Sequence, residues 1–294
     1  MRRGTQAAAG VVVLSVVAGW LGGCAAGGHR RPAPAAARPP REPLLMGETW
    51  TIDSRVLRET RRINVFVPTA YGEAFSEPLP VLYMPDGGMA EDFLHVAGLV
   101  QVLTSNGSMR PCMVVGIENT VRRRDLTFPT TVASDLEAGR QVGGAQAFRQ
   151  FIREELKPAV AARYAVTAES GIIGESLAGL FVLDTYAHEP GLFDTYIAID
   201  PSLWWNGGSL VNELAALKRA GGPATRRLSI SWGSEPGMVA GCARLRSEMG
   251  PAGPGDLAMV RYESLPQETH ATVYHPAALR ALPELLKSTA EAAH

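Results

Sequence analysis

Ser176 stands in Gly174-Glu175-Ser176-Leu177-Ala178-Gly179. A short apolar run, Gly171-Ile172-Ile173, precedes it, and a helical pattern with Phe181, Leu183 and Tyr186 follows at once. Small residues at 174, 178 and 179 are what a sharp strand-to-helix turn needs, because the two backbones nearly touch there. A serine at the apex is pushed out of the sheet beside a helix N-terminus. Orphan N–H groups and the helix dipole favour developing negative charge at that point, which suits a nucleophile. The pattern is G-x-S-x-A-G rather than G-x-S-x-G, and alanine leaves less room in the turn. A serine placed here can also be a plain helix N-cap. Its partners decide between the two.

Esterolysis through serine requires a base for the hydroxyl proton, a group that orients that base, and N–H donors for the oxyanion. On a strand–turn–helix elbow these follow in the chain order serine, acid, histidine. The histidines are His29, His95, His188, His270, His275 and His294. Only His270 and His275 lie between the last predicted strand and the closing helix. His275 directly precedes Pro276 and reads as a helix-entry residue. His270 lies in the polar stretch Leu265–Thr272, without helical period, and is the predicted base. No histidine pair has the spacing of a zinc motif such as H-E-x-x-H, so a metal enzyme is not expected.

The elements that would carry these residues alternate. Strand patterns at 48–57 and 61–68 open the domain. Apolar strands follow at 81–84 and 113–117, into the elbow strand, and at 195–199 and 228–232, with a further strand at 259–263. Helical patterns fall at 93–103, 145–163 (with Pro158 as an irregularity), 210–218, 238–249 and 276–286, and Val121–Gly144 reads as polar and irregular. Strands alternating with helices predict an α/β fold: a mostly parallel central sheet with helices on both faces. All-apolar strands fit burial on both sides. In such sheets the loops at the C-terminal strand ends hold the chemistry, and every candidate falls in one of them.

At 294 residues, with 46% hydrophobic and 19% charged residues, the chain can form one large α/β domain. A net charge of −1 offers nothing to a polyanion, so no nucleic-acid partner is expected. The first residues do not belong to the fold. Met1-Arg2-Arg3 is a basic start, Ala7–Trp20 an apolar run, and Leu21-Gly22-Gly23-Cys24 resembles the lipobox of bacterial lipoproteins. Residues 1–23 are therefore expected to be a lipoprotein signal peptide, with Cys24 the lipidated N-terminus after cleavage. The alternative is a soluble periplasmic or secreted protein with an incidental cysteine. Residues 24–46, rich in Ala, Pro and Arg, read as a tether holding an enzyme domain at 47–294 off a bacterial membrane. Cys112 opens a buried strand, which favours packed thiols over a disulfide with Cys242.

Several stretches together resemble the esterase family of α/β-hydrolases that holds esterase D-like enzymes, siderophore (enterobactin-type) esterases and mycolyltransferases. They are Val81–Gly88, Val115–Thr120 with Arg124-Asp125-Leu126-Thr127, Phe148–Tyr164, Gly174–Leu183, Ile199-Asp200-Pro201-Ser202-Leu203-Trp204-Trp205, and Glu268-Thr269-His270. They run in order through about residues 48–290, and Pro-Ser-Leu-Trp-Trp is similar to the siderophore-esterase branch. The resemblance implies an α/β-hydrolase fold and hydrolysis of a small carboxylic ester through an acyl-enzyme on Ser176, without cofactor. An acyltransferase with the same residues, or a non-catalytic lipoprotein keeping the fold, are the alternatives. It implies oxyanion donors at Leu177 and at Gly87 or Gly88. Trp204 and Trp205 would wall the pocket or pack under a loop, and the run Arg122-Arg123-Arg124, with Arg124 in the matching motif, is either a solvated surface or meets an anionic or catecholate substrate. For the acid, Glu235 follows the later strand, as in most α/β-hydrolases, and the mycolyltransferase branch uses a glutamate, so Glu235 is preferred. Asp200, one strand earlier, is the second candidate, and a serine–histidine pair with weak acid support the third.

Overall fold

Eight strands form one sheet in the order β1-β2-β4-β3-β5-β6-β7-β8 in a computed structural model. It describes residues 42–136, 141–220, 226–250 and 259–285. The signal segment 1–23, Cys24 and the tether through residue 41 lie outside the described residues. Everything below concerns the unit that begins at Leu45.

β1 (Glu48–Ser54) and β2 (Glu59–Phe66) form an antiparallel hairpin, and β2 also runs antiparallel to β4 (Met113–Ile117). From there the sheet is parallel through β3 (Leu79–Pro85), β5 (Val166–Glu175), β6 (Thr195–Ile199), β7 (Arg227–Trp232) and β8 (Met259–Ser264). This is the predicted mostly parallel α/β sheet. The parallel strands β3, β4 and β6 are buried at every position, because helices cover both faces. Alternation along the strands divides the core. Tyr83, Val115 and Ile172 point into one cluster, with Phe148, Phe181 and Trp205. Leu82, Val114 and Ile173 point into the other, with Phe93, Val96 and Leu282.

Cys242 belongs to the first cluster and Cys112 to the second. The sheet stands between them, and both are free, buried thiols. Burial raises the ionisation of each well above the usual thiol range.

The helices are α1 (Phe93–Ser105), α2 (Arg122–Leu126), α3 (Ala145–Phe151), α4 (Lys157–Arg163), α5 (Leu177–His188), α6 (Ser209–Arg219), α7 (Pro236–Met249) and α8 (Tyr274–Leu285). Two differ from expectation. The single helix predicted over 145–163 is broken by a π-helical turn, Ile152–Leu156, before Pro158. Proline has no N–H to give to the preceding turn, and the wider turn absorbs that loss. The stretch 121–144 is not wholly irregular, since it contains α2.

A helix of five residues cannot stand alone. α2 is fastened to β2 by Arg61 and Asp125, both fully buried, with Nη1–Oδ2 2.5 Å. Arg61 also donates to the Glu118 carbonyl at 2.9 Å and its guanidinium lies over the Phe148 ring. Replacing Arg61 by Met should destabilise the domain by about 1–3 kcal/mol, because buried Asp125 loses one of its two charged partners and keeps Arg124. Urea unfolding of the two proteins checks this, and a loss below about 1 kcal/mol would show that α2 is held by its other contacts.

Candidate active site

The elbow begins with a backbone that few residues tolerate. Ser176 has φ 58° and ψ −119°, a conformation that costs roughly 1–3 kcal/mol for a non-glycine residue. Its surroundings enforce it. The Ser176 N–H donates to the Ile199 carbonyl at 3.0 Å, and the Leu180 N–H donates back to the Ser176 carbonyl at 2.9 Å. A Cβ on Gly174 would come within 2.7 Å of Ala178, and one on Gly179 within 2.9 Å of the Ile199 carbonyl oxygen. Gly174 thus makes the room for the alanine that replaces a glycine in this motif. α5 is buried from Leu177 to Tyr186, so the helix cannot swing away to relax the turn.

Ser176 occupies the N-cap position, yet its side chain caps nothing. Its Oγ faces His270 Nε2 at 3.2 Å. On the far side of the ring, His270 Nδ1 meets Asp200 Oδ2 at 2.6 Å. An ionised carboxylate only accepts, so Nδ1 carries the proton and the Nε2 lone pair is turned to the serine hydroxyl. Serine, histidine and acid come from the ends of β5, the loop after β8, and the end of β6.

The preferred acid, Glu235, is not the one that meets His270. It is exposed at the N-cap of α7, before Pro236, where a negative charge favours the helix N-terminus. The loop after β7 holds the site by its backbone instead. The Gly233 N–H donates to Asp200 Oδ1 at 3.1 Å, so both Asp200 oxygens are engaged. The Ser234 N–H and Oγ both donate to the Glu268 carbonyl at 2.8 Å, and the Leu265 N–H donates to Trp232 at 2.8 Å. A Cβ on Gly233 would stand 2.7 Å from the Glu268 oxygen, too close for any larger residue. Asp200 is fully buried at φ 42°, with its own N–H on the Ser231 carbonyl at 2.7 Å. That twist at the strand end aims its carboxylate at the histidine loop. His275 turns elsewhere, its Nδ1 2.9 Å from His95 Nε2.

The hydrogen bond His270 donates to Asp200, first, and the nearby charge of Glu175 hold His270 above the usual histidine range, against the opposing effect of burial. Glu175 is itself pushed up to about 7 by burial, with Asp92, Asp200 and Asp86 adding to the rise and His270 opposing it. Asp92 is pushed up to about 6 by burial and by Asp86. One flank of the serine is thus a carboxylate-rich wall that composition did not reveal. Its signal was Glu175 beside the serine and the spaced acids Asp86, Glu91 and Asp92.

The predicted oxyanion donors separate. Leu177 is the first residue of α5, so its N–H has no intrahelical acceptor and lies directly after the nucleophile. Gly87 is not available, because its N–H donates to the Ile117 carbonyl at 3.1 Å. It is glycine for another reason: a Cβ there would overlap Gly116 at 2.3 Å. The Gly88 N–H is engaged by Glu91 Oε2 at 2.7 Å, and Asn119 Nδ2 donates to the other oxygen of Glu91 at 2.9 Å. In this arrangement the Gly88 N–H is taken and Glu91 is held at both oxygens.

Arg124, the predicted substrate contact, is bound to Glu59 and Asp125 at 2.8 and 2.6 Å, which commits its guanidinium to anchoring α2. Arg122 grips Asp86 with two bonds of 2.7 Å. Trp205 is buried with Nε1 donating to the Phe128 carbonyl at 2.9 Å, while Trp204, edge-on to it, is 41% exposed. The segment that bears them starts beside the nucleophile, since the Ser202 N–H donates to the Ser176 carbonyl at 3.0 Å and the two Oγ atoms are 3.4 Å apart. Ser202 was not anticipated. Only its sequence distance from Asp200 could have suggested it.

The chain is similar to several known proteins. The ferri-bacillibactin esterase BesA of Bacillus subtilis is 32% identical over 165 residues, 50% of this chain and 56% of that protein. The siderophore triacetylfusarinine C esterase of Aspergillus fumigatus is 33% identical over 170 residues, 53% and 56% of the two chains. The chain thus spans little more than half the length of these relatives. An IroE-like serine hydrolase from Shewanella oneidensis has a TM-score of 0.70 at 25% identity, covering 82% of this chain and 80% of its own. The family model described as putative esterase matches residues 54–235, over half of the chain, and the chain belongs to that family.

Proposed function

We propose that this chain is a serine carboxylic-ester hydrolase acting on small esters of siderophore type. The observation that carries the proposal is the continuous relay Asp200–His270–Ser176, with bonds of 2.6 and 3.2 Å. His270 Nε2 takes the hydroxyl proton as Ser176 Oγ adds to the ester carbonyl, and Asp200 stabilises the resulting imidazolium. The Leu177 N–H, with the α5 N-terminus behind it, receives the oxyanion. Collapse expels the alcohol, protonated by His270, and leaves the acyl group on Ser176. A water molecule then gives its proton to His270 and attacks the acyl carbonyl, releasing the carboxylic acid and restoring the serine. The names of the similar proteins support siderophore-type substrates.

The proposal extends to location. The pattern Leu21-Gly22-Gly23-Cys24 after an apolar run supports export, cleavage before Cys24 and lipid anchoring there, since stable anchoring needs more than one acyl chain. Expressed in a bacterium, the protein should fractionate with membranes and carry lipid mass on Cys24, and Cys24→Ala should stay unprocessed or become soluble. A mature protein beginning elsewhere and free of lipid overturns this part.

Ser176→Ala should reduce ester turnover by several orders of magnitude while thermal unfolding changes little, because alanine keeps the same backbone and loses only the partly buried hydroxyl contact with His270. Near wild-type turnover, or no fluorophosphonate adduct on Ser176 of the parent, refutes the reading.

The acid assignment has its own test. Asp200→Asn should lower kcat by about 10⁴, as loss of an orienting carboxylate does elsewhere, with Glu235→Gln far milder; the reverse ranking rejects Asp200. His270 must be neutral to accept a proton, so activity falls as pH drops through its ionisation. That ionisation is raised, so the acid limb of kcat/KM should lie above pH 6.5, the ordinary histidine value. Glu175→Gln removes one cause of the rise and should move the limb to lower pH. A limb at or below the ordinary value in the parent would show that neither carboxylate acts on the ring.

A further inference from the structure

Three arginines in a row meet three different fates on α2. Successive helical residues are turned about 100° from one another, so Arg122 reaches Asp86, Arg124 reaches Glu59 and Asp125, and Arg123 points to Trp205. The Arg123 guanidinium carbon lies over the Trp205 ring, 5.2 Å from its centroid. It has no hydrogen bond or ion pair among the described residues, and its Nε is buried without a partner. A half-buried cation with an orphan donor is costly to keep, and stacking on an indole offsets only part of that.

The platform beneath it is rigid. Trp205 is fully buried and tied to the Phe128 carbonyl. The next residue, Asn206, takes the Asp135 carboxylate on its N–H at 2.9 Å and the Thr130 hydroxyl on its Oδ1 at 3.1 Å. The platform is also close to the chemistry. The Trp205 N–H donates to the Ser202 carbonyl at 3.1 Å, and Ser202 Oγ is 3.4 Å from Ser176 Oγ. Three residues of chain span at most about 11 Å even when extended, and here they are folded into a turn.

We propose that Arg123 is a specificity residue: its guanidinium, held over the Trp205 ring, receives a carboxylate or another planar two-oxygen anion carried by the ester substrate. The planar guanidinium fork matches such an anion in bidentate contact. The Asp86 carboxylate is already taken by Arg122, so Arg123 is left to meet an anion from outside. This inference rests on the esterase reading.

The test compares esters that differ only in charge. One pair places the charge on the acyl part: mono-4-nitrophenyl succinate against 4-nitrophenyl butyrate. The other places it on the leaving group: 4-acetoxybenzoate against its methyl ester. For each protein the readout is the ratio of kcat/KM, anionic over neutral. In Arg123→Met the ratio should drop about tenfold to a hundredfold for at least one pair, the loss of one charge-assisted contact, and mainly through KM. Arg123→Lys, which keeps the charge but not the fork, should fall between. Raising ionic strength should erode the wild-type ratio and leave that of Arg123→Met nearly constant. Ratios unchanged in Arg123→Met for both pairs, with both esters slowed alike, would show that Arg123 only supports Trp205 and overturn the inference. Wild-type protein without turnover of any of the four esters and without a fluorophosphonate adduct on Ser176 would sink the esterase reading and this inference with it. Ser176-dependent turnover with no charge selectivity sinks this inference alone.

Discussion

Everything at the site depends on the backbone of one residue. Ser176 is held at φ 58° between a buried strand and a helix buried around its first three turns. Relaxing that angle would send Oγ toward the helix N–H groups as an ordinary cap and would break its contact with His270. The strain is over-determined from three sides: the sheet hydrogen bond to Ile199, the glycine contacts at 174 and 179, and the tight packing of α5. Interiors packed this closely transmit strain rather than absorb it, so the position of Ser176 is set by the core as a whole.

The second constraint is that three loops must arrive together. Parallel strands deliver their C-terminal ends to one edge of the sheet, but the final distances come from polar contacts between loops. Gly233 and Ser234 join the loop after β7 to Asp200 and to Glu268, and so tie acid and histidine to each other through a strand that supplies neither. Ser202 continues the same stitching, from the β6 loop back to the elbow. The loop that was expected to supply chemistry supplies geometry.

Charge is also distributed by these loops. Asp86, Glu91, Asp92 and Glu175 crowd one flank, where burial raises Glu175 and Asp92, and Arg122 and Asn119 hold Asp86 and Glu91 in place. Arg123, beside Arg122 on the same short helix, lies over Trp205 and has no carboxylate partner among the described residues. The Gly88 N–H, in the loop after β3, is held by Glu91.

Much of this was legible in the chain itself. Apolar strands alternating with helical patterns specified a parallel sheet, since segments buried on both faces have no other arrangement available. Gly174, Ser176 and Gly179 specified the elbow, because only small residues allow the backbones to meet. His270 stood out as the histidine in the one loop that could reach it. The acid could not be chosen the same way. Asp200 and Glu235 both follow adjacent strands with suitable side chains, and nothing local distinguishes them; the twist at Asp200 and the exposure of Glu235 exist only once the sheet is built. Likewise, three consecutive arginines look interchangeable as text. The turn of a short helix, pinned by the buried Arg61–Asp125 pair, sends one to the oxyanion loop, one to the first hairpin and one onto a tryptophan, because side-chain direction on a helix is fixed by its docking and not by residue type.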